Sequence, residues 1–257
     1  MIHELEKMIE NADSEDSILK PTEIFNESWL LRIFLQMAKD NPGLSFSNKK
    51  SGIVLSHPDG TNFFSEAGLA PPFRKEVQEN LYEATTKLDG VIGNFTMKEG
   101  SKAKLILGDE AKIFVVLEAK IGSDLSKDVR NAPYYDQAAR TVACMAEALK
   151  DAKKLPSEIE KLVFALIAPK ERIQGRVFEE LLRKKSIKTK VKKRISEYDE
   201  NNRGKLDNWY KEWFKPALEH IKIVEISWEE LIDSILELNS EKGESIKSFY
   251  RKCLDYK

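Results

Sequence analysis

Residues Phe114–Ser126 read FVVLEAKIGSDLS, an apolar run that ends in a carboxylate and an ammonium two positions apart. The apolar run before Glu118 predicts a buried strand. Because successive side chains of a strand point to opposite faces, Val116, Glu118 and Lys120 should share one face of the sheet. The sequence therefore places two opposite charges together at the end of a core strand.

Two further strand signals precede this one, and two follow it. KLDGVIGNF (residues 87–95), AKLILG (103–108) and KIFVVLEAK (112–120) are separated by the turn signals KEGS and GDEA and are typical of an antiparallel meander. KLVFALIAP (161–169) and KIVEIS (222–227) predict two later strands. The sheet is therefore expected to begin with three antiparallel strands.

Helix signals lie on both sides of the meander. The apolar residues of PTEIFNESWLLRIFLQMAKDNPG recur at helical spacing, with Asn26 as an N-cap and the NPG sequence at 41–43 as a stop. PYYDQAARTVACMAEALK predicts a second helix over 133–150, with Pro133 in its first turn. FRKEVQENLYEA, at 73–84, indicates a short helix among strand-like pieces and turns.

The order helix, three strands, helix, strand favours an α/β fold in which helices cover a sheet, rather than a helical bundle or a β-sandwich. A chain of 257 residues is long enough for one sizeable core, and we expect a single domain over 1–257. Mainly helical signals follow residue 170, with a last strand among them.

Composition excludes several classes of function. With 41% hydrophobic residues, 33% charged residues and a formal net charge of −1, the chain has no global basic field. No segment approaches the roughly 18 apolar residues of a membrane span, and the acidic N-terminus has no apolar signal core. No P-loop is present, which excludes an intrinsic ATPase or helicase motor. Cys144 and Cys253 lack CxxC spacing, which fits a reducing compartment and disfavours a thiolate zinc site. We expect a cytoplasmic protein that is not bound to a membrane.

Two more acidic residues are expected near the charged strand end. Asp89 opens the first strand of the meander, so sheet pairing can bring its carboxylate close to Glu118. Two adjacent carboxylates repel each other unless a cation lies between them, and oxygen ligands suit Mg²⁺. Glu27 shares a helical face with three apolar residues, Leu30, Leu31 and Phe34, and should therefore point toward the sheet.

This set of residues resembles that of a known enzyme superfamily. Asp89 is followed by Glu118-x-Lys120, a helix that carries Glu27 precedes them, and a helix that carries Gln137 follows them. The pattern is similar to that of the PD-(D/E)XK nucleases, which are also called restriction-endonuclease-like. Leu88, and not proline, precedes Asp89.

The resemblance covers roughly residues 23–169 and implies a mixed central sheet in an αβββαβ core, with C-terminal helical additions over about 170–257. It implies a nuclease that hydrolyses DNA phosphodiester bonds with Mg²⁺ or Mn²⁺, in restriction, defence or repair. Asp89, Glu118 and the Ala119 carbonyl would hold the metal. Lys120 would position or activate the attacking water.

Within the resemblance, Glu27 and Gln137 match residues that only some branches of the superfamily carry. A literal Pro58-Asp59 pair also exists, but it belongs to the turn signal HPDGT, so Asp89 is the favoured metal ligand.

Simpler readings of the same residues remain open. Glu118 and Lys120 can form a surface ion pair worth about 0–1 kcal/mol. Glu27 can simply lie near a helix N-terminus, where the helix macrodipole favours a negative charge, and Gln137 can be an amide on a helix surface. The alternative function is a catalytically inactive subunit of the same fold that binds nucleic acid or protein.

A basic stretch offers a local nucleic-acid contact. RKKSIKTKVKKR, at 183–194, contains no acidic residue and can bind phosphates, or it can be a solvated helix face. The Trp-rich segment LDNWYKEWFKPALEHI offers either stacking surfaces for bases or core side chains. DNA is the expected partner, while RNA, a homodimer or a larger assembly stays open. The candidate phosphate contacts are Lys184, Lys185, Lys188, Lys190, Lys192, Lys193 and Arg194.

Overall fold

The computed structural model describes most of the chain. The described residues are 7–9, 11–14, 17–41, 44–48, 53–56, 58, 60–74, 81–101, 103–126 and 132–257. Half of the predicted short helix at 73–84, residues 75–80, lies outside the described residues. The alternative ligand Asp59 also lies outside them.

Strands of the described residues form one central sheet and two small hairpins. They are β1 (Ser45–Asn48), β2 (Ile53–Ser56), β3 (Asn62–Leu69), β4 (Thr86–Gly93), β5 (Phe95–Met97), β6 (Leu105–Leu107), β7 (Ile113–Ala119), β8 (Lys161–Ala168) and β9 (Lys222–Ser227). The central sheet has the order β3-β4-β7-β8-β9, while β1 pairs with β2 and β5 with β6. The β3-β4 and β4-β7 pairs are antiparallel, and the β7-β8 and β8-β9 pairs are parallel. The sheet is therefore mixed, as the sequence predicts.

The composition of the antiparallel part differs from the prediction. AKLILG forms β6, which pairs with β5 in a separate hairpin, and β4 pairs directly with β7. The Asn94 side chain accepts hydrogen bonds from the backbone N–H groups of Lys112 and Ile113 (3.1 and 3.2 Å), so the chain returns beside β4 after the hairpin. Gly93 permits this approach, because a Cβ there would lie 2.3 Å from the Ile113 carbonyl oxygen. The middle strand of the predicted meander therefore exists as β6, but its predicted place in the central sheet is wrong, and β3 supplies the third antiparallel strand there.

Helices cover both faces of the sheet. They are α1 (Pro21–Ile24), α2 (Glu27–Asp40), α3 (Gln137–Asp151), α4 (Lys170–Gln174), α5 (Glu179–Leu182), α6 (Lys184–Ser196), α7 (Glu200–Trp209), α8 (Lys215–His220), α9 (Trp228–Leu238) and α10 (Ser240–Asp255). A 3₁₀ turn spans Pro156–Glu158 and a π-helical turn spans Tyr210–Phe214. In the described residues, no helix has both the length and the apolar character needed to cross a bilayer.

Capping residues fix where the two central helices begin. The Asn26 side chain accepts a hydrogen bond from the N–H of Trp29 (3.1 Å), which confirms it as the N-cap of α2. Asp136 caps α3 in the same way through the N–H of Ala139 (3.0 Å). The predicted start at Pro133 is therefore wrong. The helix begins at Gln137, because the Asp136 carboxylate accepts from the free N–H of Ala139 in the first turn.

Two apolar layers lie on opposite faces of the sheet. The layer with α3, α6 and the π-helical turn contains Val116, and the layer with α2, α9 and α10 contains Val115 and Leu117. This division confirms the alternation expected along β7. Trp209, Tyr210 and Phe214 belong to the first layer and are buried, so they serve the core rather than a stacking surface.

The architecture is thus α/β, with a mixed five-stranded sheet between helical layers. The C-terminal part of the chain is not only helical, since it supplies the edge strand β9. Cys144 and Cys253 are buried free thiols, and burial raises the pKa of each to about 12. Neither thiol is therefore suited to act as a nucleophile at neutral pH.

Candidate active site

The strands β4 and β7 separate at the candidate site. Their pairing runs from Gly93 opposite Phe114 to Gly90 opposite Leu117, so Asp89 and Glu118 would form the next pair. There, Asp89 Oδ2 accepts a hydrogen bond from the backbone N–H of Ala119 (2.8 Å). The Asp89 side chain replaces a ladder bond and lies beside Glu118 at the gap between the strands.

Glu118 is the most buried group of the site. Its side chain is fully buried, and its Oε1 accepts hydrogen bonds from Lys120 Nζ (2.6 Å) and from Gln137 Nε2. No group of the described residues donates to its Oε2, which is also buried. A buried carboxylate oxygen without a donor is costly, so this atom is a natural ligand for a cation.

Lys120 is held by its backbone as well as by its side chain. Its N–H donates to the Ile167 carbonyl (2.8 Å), which continues the parallel ladder of β7 and β8. The next donor in that ladder would be residue 169, which is a proline without an N–H. Trp228 Nε1 donates to the Lys120 carbonyl instead (2.9 Å), so the residue after the Glu118-Ala119 pair is fixed on both sides.

Gln137 reaches the site from the first turn of α3. Its backbone N–H donates to the Ser126 carbonyl (2.9 Å), and its side-chain Oε1 accepts from the Ser126 N–H (3.3 Å). These two contacts orient the side-chain amide so that its NH₂ group faces Glu118. The structure thus brings the Gln137 side chain into contact with Glu118.

Glu27 lies close to the site without being part of its hydrogen-bond network. It is half-buried at the start of α2 and lines a cavity of about 320 Å³ together with Ile121 and Gly122. Its charge also contributes to a raised pKa of Lys120. Glu27 therefore lies near enough to influence Lys120 electrostatically.

The pKa values of Glu118 and Lys120 are both raised above their ordinary values. Burial raises the pKa of Glu118 to about 8, and the nearby Asp89 carboxylate raises it as well, while Lys120 acts in the opposite direction. Burial lowers the pKa of Lys120, but Glu118, Asp89 and Glu27 outweigh it and leave that pKa above its ordinary value. A bound divalent cation would reverse the balance, because its charge favours ionised carboxylates.

The donor set fits a hard divalent cation that shares its coordination with water and substrate. Asp89 and Glu118 offer two carboxylates, and the alternating backbone of β7 turns the Ala119 carbonyl toward the same gap as its N–H. Over the described ranges, no three side chains of His, Cys, Asp or Glu converge on one point. Mg²⁺ accepts such a site, since it keeps several waters and uses one or two carboxylates beside substrate phosphates.

Several residues of the predicted basic stretch have internal partners. Arg194 is fully buried, donates to the Leu81 carbonyl (2.6 Å) and pairs with Glu83 (3.2 Å). It has to be removed from the candidate phosphate contacts, because its guanidinium does not reach the surface. Lys190 pairs with Asp136, and Lys184 donates to the Glu219 carbonyl (2.8 Å).

The remaining lysines of α6 fall into two groups. Lys193 lies over the ring of Tyr134 (3.9 Å), on the side of α6 that faces the start of α3. At 3.6 residues per turn, the other three exposed lysines lie about half a turn away from Lys190. They are Lys185, Lys188 and Lys192, of which Lys192 lies over the ring of Tyr210 (5.5 Å).

Sequence reasoning missed the residues that support the site from a distance. Ser126 acts through two backbone hydrogen bonds with Gln137, and Trp228 acts through one hydrogen bond to the Lys120 carbonyl; no local pattern marks either residue. Asp136 carries a signal that could have found it, because an aspartate directly before a helical run is an N-cap candidate.

Comparison with protein-family models, with curated proteins and with solved structures gives no significant match to this chain.

Proposed function

We propose that this protein is a Mg²⁺-dependent nuclease of the PD-(D/E)XK type that hydrolyses phosphodiester bonds in DNA. The observation that carries the proposal is the meeting of Asp89, Glu118 and Lys120 at the gap between β4 and β7. The Glu118 Oε2 atom, buried without a donor in the described part of the chain, supports a cation at this point.

The order of elements supports the same proposal. If the two small hairpins are set aside, α2, β3, β4, β7, α3 and β8 come in the αβββαβ order of the restriction-endonuclease-like core. The candidate ligands come from the second and third of these strands, and Gln137 comes from the following helix. A fold does not establish a reaction by itself, so the proposal of nuclease activity depends on the site residues.

Each residue has a distinct role in the proposed reaction. Mg²⁺ or Mn²⁺, when bound by Asp89, Glu118 and the Ala119 carbonyl, would polarise the phosphate and lower the pKa of a bound water. The Lys120 ammonium pairs with Glu118 Oε1 (2.6 Å), so it lies at the site as a positive charge. It would orient the attacking water and stabilise the negative charge that develops on the phosphate.

Gln137 and Glu27 have supporting roles. Gln137 holds the Glu118 carboxylate in one orientation through Oε1, which leaves Oε2 for the cation. Glu27 adds negative potential beside Lys120 and so favours both the ammonium and a cation.

Contact with the nucleic-acid backbone is assigned to the exposed part of α6. Lys193 is the lysine on the side that faces Tyr134 and the start of α3, so it is the first candidate for a phosphate near the site. DNA is proposed as the substrate, and RNA with the same phosphodiester chemistry is the direct comparison in any assay.

One observation favours the second candidate, an inactive binding subunit. Glu118 Oε1 already has two internal donors, Lys120 and Gln137, so part of the carboxylate is satisfied without a metal. In an inactive subunit this pair would only hold β7 to α3.

Calorimetric titration with Mg²⁺ and Mn²⁺, together with cleavage of supercoiled, linear and single-stranded DNA and of RNA, tests the proposal. Glu118→Gln should lose metal uptake and cleavage together. Glu147→Gln is the matched control, since Glu147 is also a buried carboxylate paired with a lysine and lies about 15 Å along α3 from Gln137. Cleavage by Glu118→Gln at the wild-type rate, or a wild type that takes up no metal, would contradict the proposal.

A further inference from the structure

Arg172 binds the loop that follows the candidate catalytic lysine. Its Nη1 donates to the carbonyl of Ser123 (2.7 Å) and lies 3.5 Å from that of Ile121, and its Nη2 donates to the Asp124 carboxylate. The guanidinium also lies over the ring of buried Phe178, 5.0 Å from its centroid. One side chain thus contacts three residues of the loop 121–124: Ile121, Ser123 and Asp124.

Sheet topology explains how Arg172 reaches this loop. Because β7 and β8 are parallel, the segments that follow them leave the sheet at the same edge. Arg172 lies in α4, directly after β8, and its side chain is only 17% exposed. The planar fork of an arginine can bind several acceptors at once, which the single ammonium of a lysine cannot do with the same geometry.

The loop ends at the residue that orients Gln137. Leu125 is buried in the core, and the backbone of the next residue, Ser126, both donates to and accepts from Gln137. Gln137 in turn donates to Glu118. A continuous series of contacts therefore connects Arg172 with the Glu118 carboxylate.

We propose that Arg172 is a positioning residue of the active site, which sets the orientation of the Gln137 amide through the loop 121–126. This inference rests on the proposed nuclease function for its kinetic part only. Supporting residues of this kind typically change activity by about 10- to 100-fold when removed. For Arg172→Met we expect a loss of kcat at the low end of this range, because Gln137 itself remains.

A double-mutant cycle with Gln137→Ala tests the link. If Arg172 acts through Gln137, the double variant should be no slower than Gln137→Ala alone, because the interaction is already lost. A purely structural role would multiply the two losses. Multiplied losses would overturn the proposal.

A second measurement does not depend on activity. In spectra of the ¹⁵N-labelled protein, the side-chain amide signal of Gln137 is assigned by its absence in Gln137→Ala. Arg172→Met should shift this signal, while Arg172→Lys should leave it between the wild-type and Arg172→Met positions. An unchanged Gln137 signal in Arg172→Met would overturn the proposal even if the variant were slow.

Two further variants serve as a control and as a replacement for Arg172→Met. Arg183→Met removes another arginine that binds two carboxylates, those of Glu179 and Glu180 on the surface, and it should leave the Gln137 signal unchanged. If Arg172→Met does not fold, Asp124→Ala removes one of the loop contacts at an exposed carboxylate and should shift the signal in the same direction. Absence of cleavage by the wild type would refute the nuclease proposal, whereas the amide signal would still decide the role of Arg172.

Discussion

Replacing Arg194 should destabilise the protein without a specific loss of DNA affinity. Its fully buried guanidinium pairs with Glu83 and Glu197 and donates to the Leu81 carbonyl. Breaking a buried pair by removing one partner costs about 3–5 kcal/mol. In a chain of this size, this loss in the free energy of unfolding corresponds to a fall in Tm of about 6–20 °C for Arg194→Met.

The pH dependence of this loss follows from Glu83. Burial raises the pKa of Glu83 to about 7, although Arg194 lowers it. Since the folded pKa is above the unfolded value, the contribution of Glu83 to stability is present at acid pH and is lost as pH rises through 7. Without Arg194 the folded pKa rises further, so Arg194→Met should lose more stability at pH 8 than at pH 5.5.

Urea unfolding at these two pH values measures the effect, with Lys188→Met as the exposed comparison on the same helix. Lys188→Met should change the free energy of unfolding by no more than about 0.5 kcal/mol. An Arg194→Met variant as stable as Lys188→Met, but with weaker DNA binding, would refute the assignment of Arg194 to the core.

Three further outcomes test the proposed site. Affinity for Mg²⁺ should rise by about tenfold per pH unit up to about pH 8 and then level off in calorimetric titrations, because Glu118 has to release a proton to bind the cation; a flat profile would contradict the role of Glu118. Lys120→Met should retain metal binding but lose about 10²–10³-fold in single-turnover cleavage rate, since only transition-state charge stabilisation is removed; wild-type cleavage would exclude that role. Lys193→Glu should weaken DNA binding in fluorescence anisotropy more than Lys188→Glu, which changes the outer side of α6, and equal effects would argue against a substrate path along Tyr134.

The parts of the site that were predictable are those set by local periodicity. Alternation along β7 places Glu118 on the face of Val116, and antiparallel pairing places Asp89 opposite Glu118. The prediction of this pair survived an error in the sheet, because the hairpin of β5 and β6 leaves β4 beside β7.

The parts that failed depend on partners far away in the sequence. A run of basic residues predicts a charged surface, yet Arg194 is buried because Glu83 and the Leu81 carbonyl meet it more than 100 positions away along the chain. Likewise, α3 begins at Gln137 and not near Pro133, because the Asp136 side chain caps the helix three residues after the proline. Charge and periodicity are local properties, whereas burial of a charge depends on a distant partner.

The bond from Trp228 to the Lys120 carbonyl bears on how the protein can be divided. The two residues are 108 positions apart, and the donor belongs to the helix after the last strand of the sheet. A fragment limited to 23–169 would retain Asp89, Glu118, Lys120 and Gln137, but the Lys120 carbonyl would lose its donor and β8 would become an unprotected edge. The last strand and the two helices after it are therefore packed into the same core as the site, so a fusion or truncation should keep the chain intact through α10.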